Sequence, residues 1–329
     1  MEGLRVFIFL SYENKNIYSY YKTVLTLPNP PHSYLIKRRK IMYNLTSIST
    51  IRDIMSKHGF NFSKSLGQNF ITNPSVCPKI AELGGAKKGF GVIEVGTGIG
   101  VLTAELARRA DKVVAVEIDK RLLPVLDETL ADFDNIKIIN EDILKVDINR
   151  LIADEFEGME VAVCANLPYY ITSPVIMYLL ESNTRIKSLT VMVQKEAGQR
   201  LCAAVGTREC GAVTVAVNYY GDAKMLFNVS RGSFMPSPNV DSCVIRIDLN
   251  KKYNLDKESE EFFFKTVKAA FAQRRKTLAN SVSSSMGIKK DTVYDILSAM
   301  GLDRSARAEQ LTMDSFIELS EKLKLSADN

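Results

Sequence analysis

Val92-Ile93-Glu94-Val95-Gly96-Thr97-Gly98-Ile99-Gly100 reads as a strand running into a turn with glycine at every second position. Glycine reaches positive φ without strain and lets the backbone come close to a ligand. The next segment, Val101–Ala110, has a helical pattern, so its first free N–H groups point back at the turn. A dinucleotide-binding turn reads G-x-G-x-x-G with an acid about twenty residues on. Here Gly96, Gly98 and Gly100 alternate instead, and Glu94 sits on the strand just before them.

Outward from this turn the chain alternates short apolar runs with helical patterns. Strands are expected at Gly91–Val95, Lys112–Ile118, Ile136–Asn140, Glu160–Ala165 and Leu189–Val193, with helices over Val101–Ala110, Leu122–Phe133 and Val175–Glu181. That βαβ rhythm predicts an α/β fold, a doubly wound, mostly parallel sheet with helices on both faces. Gly211–Tyr220, Lys224–Val229 and Cys243–Leu249 follow. The last two have no long helix between them, which predicts an antiparallel hairpin at the sheet edge. Lys251–Glu261 is polar and reads as a linker. Phe262–Met286, Lys290–Met300 and Met313–Leu325 read as helices with no strands between them, a small all-α second domain.

Ligands of such sheets bind outside the carboxyl ends of the strands. Glu117 ends the second strand, where a carboxylate can accept hydrogen bonds from two ribose hydroxyls. Asp142 follows the third, where it can accept from an adenine amino group. The glycine turn, Glu117 and Asp142 together resemble the S-adenosyl-L-methionine site of class I (Rossmann-like) methyltransferases.

Asn166-Leu167-Pro168-Tyr169 ends the fourth strand. The exocyclic amine of adenine is a poor nucleophile because its lone pair is delocalised into the ring. Acceptors that take hydrogen bonds from that amine favour a pyramidal nitrogen with its lone pair directed at the methyl donor. The Asn166 side-chain oxygen supplies one acceptor, and the Leu167 carbonyl supplies a second because Pro168 brings no competing N–H. Tyr169 offers a face for a base to stack on, worth about 1–3 kcal/mol. A sulfonium is already an excellent leaving group, so positioning supplies most of the acceleration. No general base is needed, which suits a chain with only two histidines, His32 and His58. That count also argues against a Ser-His-Asp triad or a multi-histidine metal centre.

The composition, 46% hydrophobic and 25% charged, is ordinary for a globular chain. Its five cysteines are scattered and never form a C-x-x-C pair, which predicts reduced, mostly buried thiols in a cytoplasmic protein and no metal. No apolar run reaches the ~18–20 residues that span a bilayer. The net charge of +5 is no nucleic-acid signal, because residues 1–41 hold seven basic and two acidic residues and the remainder holds thirty-six of each. Local asymmetry carries more weight: Lys265, Lys268, Arg274, Arg275, Lys276, Lys289 and Lys290 fall within Phe262–Lys290 without an acid. Such a face can track phosphates.

Residues 1–41 have no sustained period and break at Pro28-Asn29-Pro30-Pro31. Organised sequence begins near Met42, with Ser47 or Ser49 placed to cap a helix that Gly59 would stop. The stretch ahead of Met42 is expected to be a non-native or disordered extension, with translation starting at Met42. Arg38-Arg39 encoded as AGG-AGG would read as a ribosome-binding site just upstream, and the codons decide.

These motifs together are similar to the KsgA group of ribosomal RNA adenine dimethyltransferases. The resemblance rests on Ser65-Leu66-Gly67-Gln68-Asn69-Phe70-Ile71, the glycine turn, Glu117, Asp142 and Asn166–Tyr169 in that order. It continues through Phe234-Met235-Pro236-Ser237-Pro238-Asn239-Val240-Asp241-Ser242, Ala269–Leu278 with its Gln273-Arg274-Arg275-Lys276, and Arg307-Ala308-Glu309-Gln310-Leu311. It implies a methyltransferase domain over 42–250 and a helical RNA-binding domain over 251–329. It implies that Asn69, Ile71, Gly96, Glu117, Asp142 and Asn166 hold the cofactor, with Asn166, Leu167, Pro168, Tyr169 and Phe234 around a flipped adenine and Arg274, Arg275 and Lys276 on RNA. The implied reaction is dimethylation of two adjacent adenines near the 3′ end of small-subunit rRNA, on a 30S-type particle, by a monomer with a part in subunit biogenesis. Ile71 stands where the group usually has leucine.

Alternatives are an antibiotic-resistance methyltransferase of large-subunit rRNA and a non-catalytic ribosome-assembly factor. Gln273–Leu278 and Arg307–Leu311 disfavour the first, and the intact Asn166–Tyr169 disfavours the second. A nicotinamide-dependent dehydrogenase lacks its glycine spacing here. A DNA adenine methyltransferase would more often carry proline where Leu167 stands.

Overall fold

The computed structural model describes residues 43–63, 66–182, 185–273 and 275–327, all within the unit Met42–Asn329. The expected extension over residues 1–41 lies outside the described residues, as does Arg274.

Helix α1 (Ile48–Lys57) and the short strand β1 (Phe70–Ile71) come first, then α2 (Val76–Leu83). The alternating part follows as β2 (Phe90–Val95), α3 (Val101–Ala107), β3 (Lys112–Val116), α4 (Leu123–Thr129), β4 (Ile136–Ile139), α5 (Ile148–Glu155), β5 (Glu160–Asn166), α6 (Thr172–Glu181) and β6 (Ile186–Gln194). Next come α7 (Lys195–Leu201), α8 (Ala212–Tyr220), β7 (Gly221–Val229), β8 (Phe234–Met235) and β9 (Ser242–Leu249). Helices α9 (Lys257–Phe271), α10 (Leu278–Met286), α11 (Lys290–Ala299) and α12 (Met313–Ala327) complete the chain.

Among the described residues the main sheet has seven strands, in the order β4-β3-β2-β5-β6-β9-β7. The first five are parallel, and β9 runs antiparallel to both β6 and β7. This is the doubly wound, mostly parallel sheet with an antiparallel edge hairpin that the periodicity predicts.

Successive residues of a strand face opposite sides, and two cores result. Val92, Val113, Cys164 and Met192 pack against Cys77 and Ile80 of α2 and Leu102 and Leu106 of α3. Ile93, Val114, Val163 and Val191 pack on the other face with Leu151, Leu179 and Val215. That second core continues without a break into Phe263 and Val267 of α9, Leu278 of α10 and Leu319 of α12. Each such large side chain removed from water contributes about 1.5–3 kcal/mol. A third cluster joins Ile51 and Ile54 of α1 to Val125 and Leu126 of α4. All five cysteines are free thiols, four of them buried.

Two segments differ from their expected form, and a third takes a form the sequence left open. Phe262–Met286, expected as one helix, is the end of α9 and all of α10, broken around residues 272–277. Side chains there take over the helix ladder. Gln273 N donates to Ser281 Oγ at 3.1 Å. Ser281 Oγ in turn donates to Ala269 O at 2.7 Å. Thr277 Oγ1 caps α10 by accepting from Asn280 N at 3.4 Å. The expected linker Lys251–Glu261 already contains the start of α9, because Asp256 accepts from Ser259 N at 3.0 Å as a cap. Gly211–Tyr220, named alongside the hairpin strands, is a helix despite its β-branched residues. Thr214 Oγ1 accepts from Gly211 N at 3.0 Å and donates to Arg200 O at 2.8 Å. Burial of Val215, Val217 and Tyr219 outweighs the strand propensity.

Candidate active site

The carboxyl ends of β2, β3, β4 and β5 open on one cleft. Asn69, Ile71, Gly96, Glu117, Asp142, Asn166, Leu167, Pro168, Tyr169 and Phe234 all line it, although they come from six separate stretches of sequence.

The floor is the glycine turn. Gly96 has φ 77°, and a β-carbon there would meet nothing closer than the Asn166 carbonyl at 4.0 Å, so its backbone is open to the cleft. Gly100 has φ 91°, and a β-carbon would press on Leu130 at 3.0 Å, so this turn and the start of α3 require glycine for two different reasons. Glu117 holds the turn in place. Its Oε2 accepts from Thr97 N and Thr97 Oγ1, both at 2.9 Å, and from Gly98 N at 3.3 Å, while Oε1 accepts from Asp119 N at 2.8 Å. Burial pushes its carboxyl up, and these bonds pull part of the way back.

Asp119 carries the network onward. It is held below the usual carboxylate range, first by the Arg121 guanidinium, and it accepts from Gln68 Nε2 at 2.8 Å. Gln68 lies in the loop leading into β1, so that loop is tied to the end of β3. Within it Asn69 Nδ2 donates to Gly67 O at 3.0 Å. The loop then forms a wall with a distant segment. β1 pairs antiparallel with β8, Ile71 opposite Phe234, and Thr72 N extends the contact to Ser233 O at 2.8 Å.

The turn after β5 meets this loop, since a β-carbon on Gly67 would lie 3.4 Å from Pro168. Leu167 N donates to Met192 O at 3.2 Å, which fixes where the turn leaves the sheet. The Tyr169 hydroxyl lies 2.8 Å from Ser242 Oγ. The Asn166 side-chain amide neither gives nor takes a hydrogen bond among the described residues, so its oxygen is free to accept. Asp142 Oδ1 accepts from Leu144 N at 3.0 Å, which leaves Oδ2 for a donor in the cleft. Ile118, 54% exposed, adds an apolar side chain to the same cleft.

A family model for ribosomal RNA adenine dimethylase matches residues 59–325. The chain belongs to the ribosomal RNA adenine dimethylase family. Among curated relatives, ribosomal RNA small subunit methyltransferase A of Clostridioides difficile (strain 630) is 44% identical over 279 residues, which is 85% of this chain and 96% of the relative. A crystal structure of a dimethyladenosine transferase from Plasmodium falciparum shares the fold, with a TM-score of 0.64 at 24% identity over 78% of this chain and 98% of that one. The crystal structure of 23S rRNA methyltransferase ErmE has a TM-score of 0.58 at 26% identity, over 78% of this chain and all of that one.

This dimethylase is an S-adenosylmethionine-dependent enzyme acting on rRNA adenines. Its cleft fits that cofactor on two observations. Gly96 presents bare backbone, and Glu94, fully buried at the cleft, has no hydrogen-bond partner for either carboxylate oxygen, an acceptor set suited to a cationic ligand. When bound, S-adenosylmethionine supplies an electrophilic methyl group on a sulfonium leaving group.

Arg275 and Lys276 are exposed at the break between α9 and α10, outside the cleft, and neither has an acidic partner among the described residues. Sequence reasoning named Glu94 only as a neighbour of the glycines, and it missed Thr97, Gln68 and the 58% exposed Tyr170 on the cleft rim. Gln68 lay inside a quoted motif, but only the contact with Asp119 gives it a task. Among the described residues no helix is long and apolar enough to cross a membrane.

Proposed function

We propose that the chain transfers methyl groups to N6 of two adjacent adenines in the 3′-terminal hairpin loop of small-subunit rRNA, with a small-subunit particle as substrate and a part in its biogenesis. The observation that carries the reading is the unpartnered Asn166 amide at the end of β5, beside the glycine turn and ahead of Pro168 and Tyr169. In this reading Asn166 Oδ1 and the Leu167 carbonyl accept from the target amine. Tyr169 and Phe234 flank the base, a flipped adenine costing least to extrude from a loop. Gly96, Asn69 and Ile71 hold the methionine side of the cofactor, Glu117 the ribose and Asp142 the adenine. Glu117 brings a single spare lone pair on Oε1 to that task, because the turn takes the rest.

Residues 251–329 serve RNA binding, with Arg275 and Lys276 on phosphates; Arg274 belongs to the same motif but lies outside the described residues. In this reading the active unit is a monomer. The 44% identity to a small-subunit methyltransferase, against 26% to a large-subunit one, favours this reading over the resistance-type alternative.

The test is incubation of the Met42 form with labelled S-adenosylmethionine and unmethylated small subunits, followed by mapping of dimethyladenine. Two adjacent dimethyladenines near the 3′ end, lost in Asn166→Ala, are expected. Labelling confined to large-subunit RNA would replace this reading with the resistance-type one, and binding without transfer would replace it with an assembly role.

A further inference from the structure

Among the described residues, Glu94 is the one acid in the cleft with neither a cation beside it nor a donor in hydrogen-bonding geometry. It sits on β2 between Ala115 of β3 and Cys164 of β5, 0% exposed. Neither Oε atom has a hydrogen-bond partner, and the same holds for the buried hydroxyl of Thr103 on α3. The titratable groups facing it are the Cys77 thiol from α2, the Cys164 thiol from β5 and the Glu117 carboxyl at the end of β3. Burial and the charge of Glu94 itself push both thiols up, Cys164 to about 12, so neither supplies charge. Glu117 is an acid, and no cation contributes to the balance at Glu94. An isolated buried carboxylate is among the costliest groups a protein can hold, and the ordinary escape is to keep the proton. Burial accordingly raises the Glu94 carboxyl to about 8; the Thr103 hydroxyl, near but not in hydrogen-bonding geometry, draws it partly back, and Glu117 adds to the rise.

The cofactor carries a sulfonium and an ammonium, while the product left after methyl transfer has a neutral sulfur. We infer that Glu94 reads this difference: it is a neutral acid in the free cleft, gives its proton to solvent when the sulfonium cofactor binds, and takes a proton back when the product replaces it. The proton moves between the Glu94 carboxyl and bulk water, no bond of the reacting methyl is involved, and Glu94 is a positioning residue for charge. The product keeps its ammonium and loses only the sulfonium charge, so a charge-dependent hold at the sulfur weakens the grip on product. Two methyl groups on each adenine require repeated cofactor exchange, and this grip would favour it. The inference rests on the cofactor assignment and not on the choice of RNA.

The test is calorimetric titration of the full chain with S-adenosylmethionine, and separately with S-adenosylhomocysteine, in buffers of different ionisation enthalpy. Both ligands titrate at their own amino groups, so the count is read as the difference between the native chain and Glu94→Gln. At pH 7 about one extra proton is expected to leave the native chain with S-adenosylmethionine, falling toward none above pH 9. The extra count should be clearly smaller with S-adenosylhomocysteine. Affinity for S-adenosylmethionine should rise about tenfold from pH 7 to pH 9 relative to Glu94→Gln. Equal counts in the two proteins, or for the two ligands, would overturn the inference. Should Glu94→Gln fail to fold, an infrared difference spectrum of the native chain decides. Loss of a protonated-carboxyl band on S-adenosylmethionine binding is expected, and no loss overturns the idea. No RNA enters either measurement, so its outcome is independent of the substrate assay.

Discussion

Glu117 and Thr97 are joined twice: one carboxylate oxygen accepts from both the backbone nitrogen and the hydroxyl of Thr97, each at 2.9 Å. The acid that ends one strand is therefore the buckle of the glycine turn that ends its neighbour. Glu117→Gln keeps the shape but turns half of the acceptor into a donor facing N–H groups. Charge-assisted bonds to backbone donors are worth about 1.5–3 kcal/mol. Cofactor affinity should fall roughly 10–100-fold, and Thr97→Val should lose less because its backbone donor survives. Calorimetric binding checks both. Native-like affinity in Glu117→Gln would mean that the turn keeps its form without the carboxylate.

The Tyr169–Ser242 contact, 2.8 Å between hydroxyl oxygens, ties the turn after β5 to the first residue of β9. It separates the ring of Tyr169, which a base would stack on, from its hydroxyl, which only orients it. Tyr169→Phe should keep stacking and lose about 1 kcal/mol of orientation, a several-fold fall in kcat/KM. Tyr169→Ala should lose roughly 1–3 kcal/mol of stacking as well, up to about a further hundredfold. Ser242→Ala should resemble Tyr169→Phe. If all three variants fell equally, the division between ring and hydroxyl would be wrong.

Much of this was legible in the sequence, for identifiable reasons. β2, β3 and β5 are buried on both faces and read as nearly continuous apolar runs, interrupted inside β2 by Glu94, and alternating glycines have few uses other than a ligand turn. The spatial meaning of the motifs was not legible. Ile71 and Phe234 lie in distant parts of the chain, and only the β1–β8 ladder makes them neighbours. Beside the ribose role expected of it, Glu117 has a second task in the structure, which spends most of its lone pairs on Thr97, Gly98 and Asp119. A donor count of that kind needs coordinates. The break before α10 was missed because Ser281 and Thr277 act through side-chain bonds that leave the apolar period of the segment intact.

Glu128 on α4 fastens the amino-terminal segment. It accepts from Tyr43 Oη, from Lys57 Nζ at 2.7 Å and from His58 Nε2 at 2.9 Å. Burial works against its charge, but the bonds from Lys57, Tyr43 and His58 outweigh it and bring the carboxyl from 4.5 down to about 2. A folded value below the unfolded one means that this stability is fully present above about pH 4.5 and is lost as pH falls through about 2. Glu128→Gln should lower the melting temperature at pH 7 by roughly 2–4 °C, and the gap from the native chain should narrow between about pH 5 and pH 3. Melting curves across that range test it. A gap that stayed constant with pH would point to lost packing instead.

Arg275 and Lys276 lie at the break between α9 and α10, exposed and without an acidic partner among the described residues. Lys268, in the same basic stretch, already acts on Glu181, and the ammonium of Lys290 lies 5.2 Å from the Tyr294 ring centre, so these two are partly committed within the protein. The free pair is thus the better candidate for phosphates. Each phosphate contact releases about one counterion, so removing one lowers the slope of log K against log salt by about 1. Arg275→Ala with Lys276→Ala should flatten that slope by about 2 for small-subunit RNA and raise KM at moderate salt, while kcat at saturation and cofactor affinity stay near native. The slope is the discriminating readout, because a merely structural role would weaken binding equally at every salt concentration. An unchanged slope would move the RNA contact away from this break and onto another face of the terminal helices.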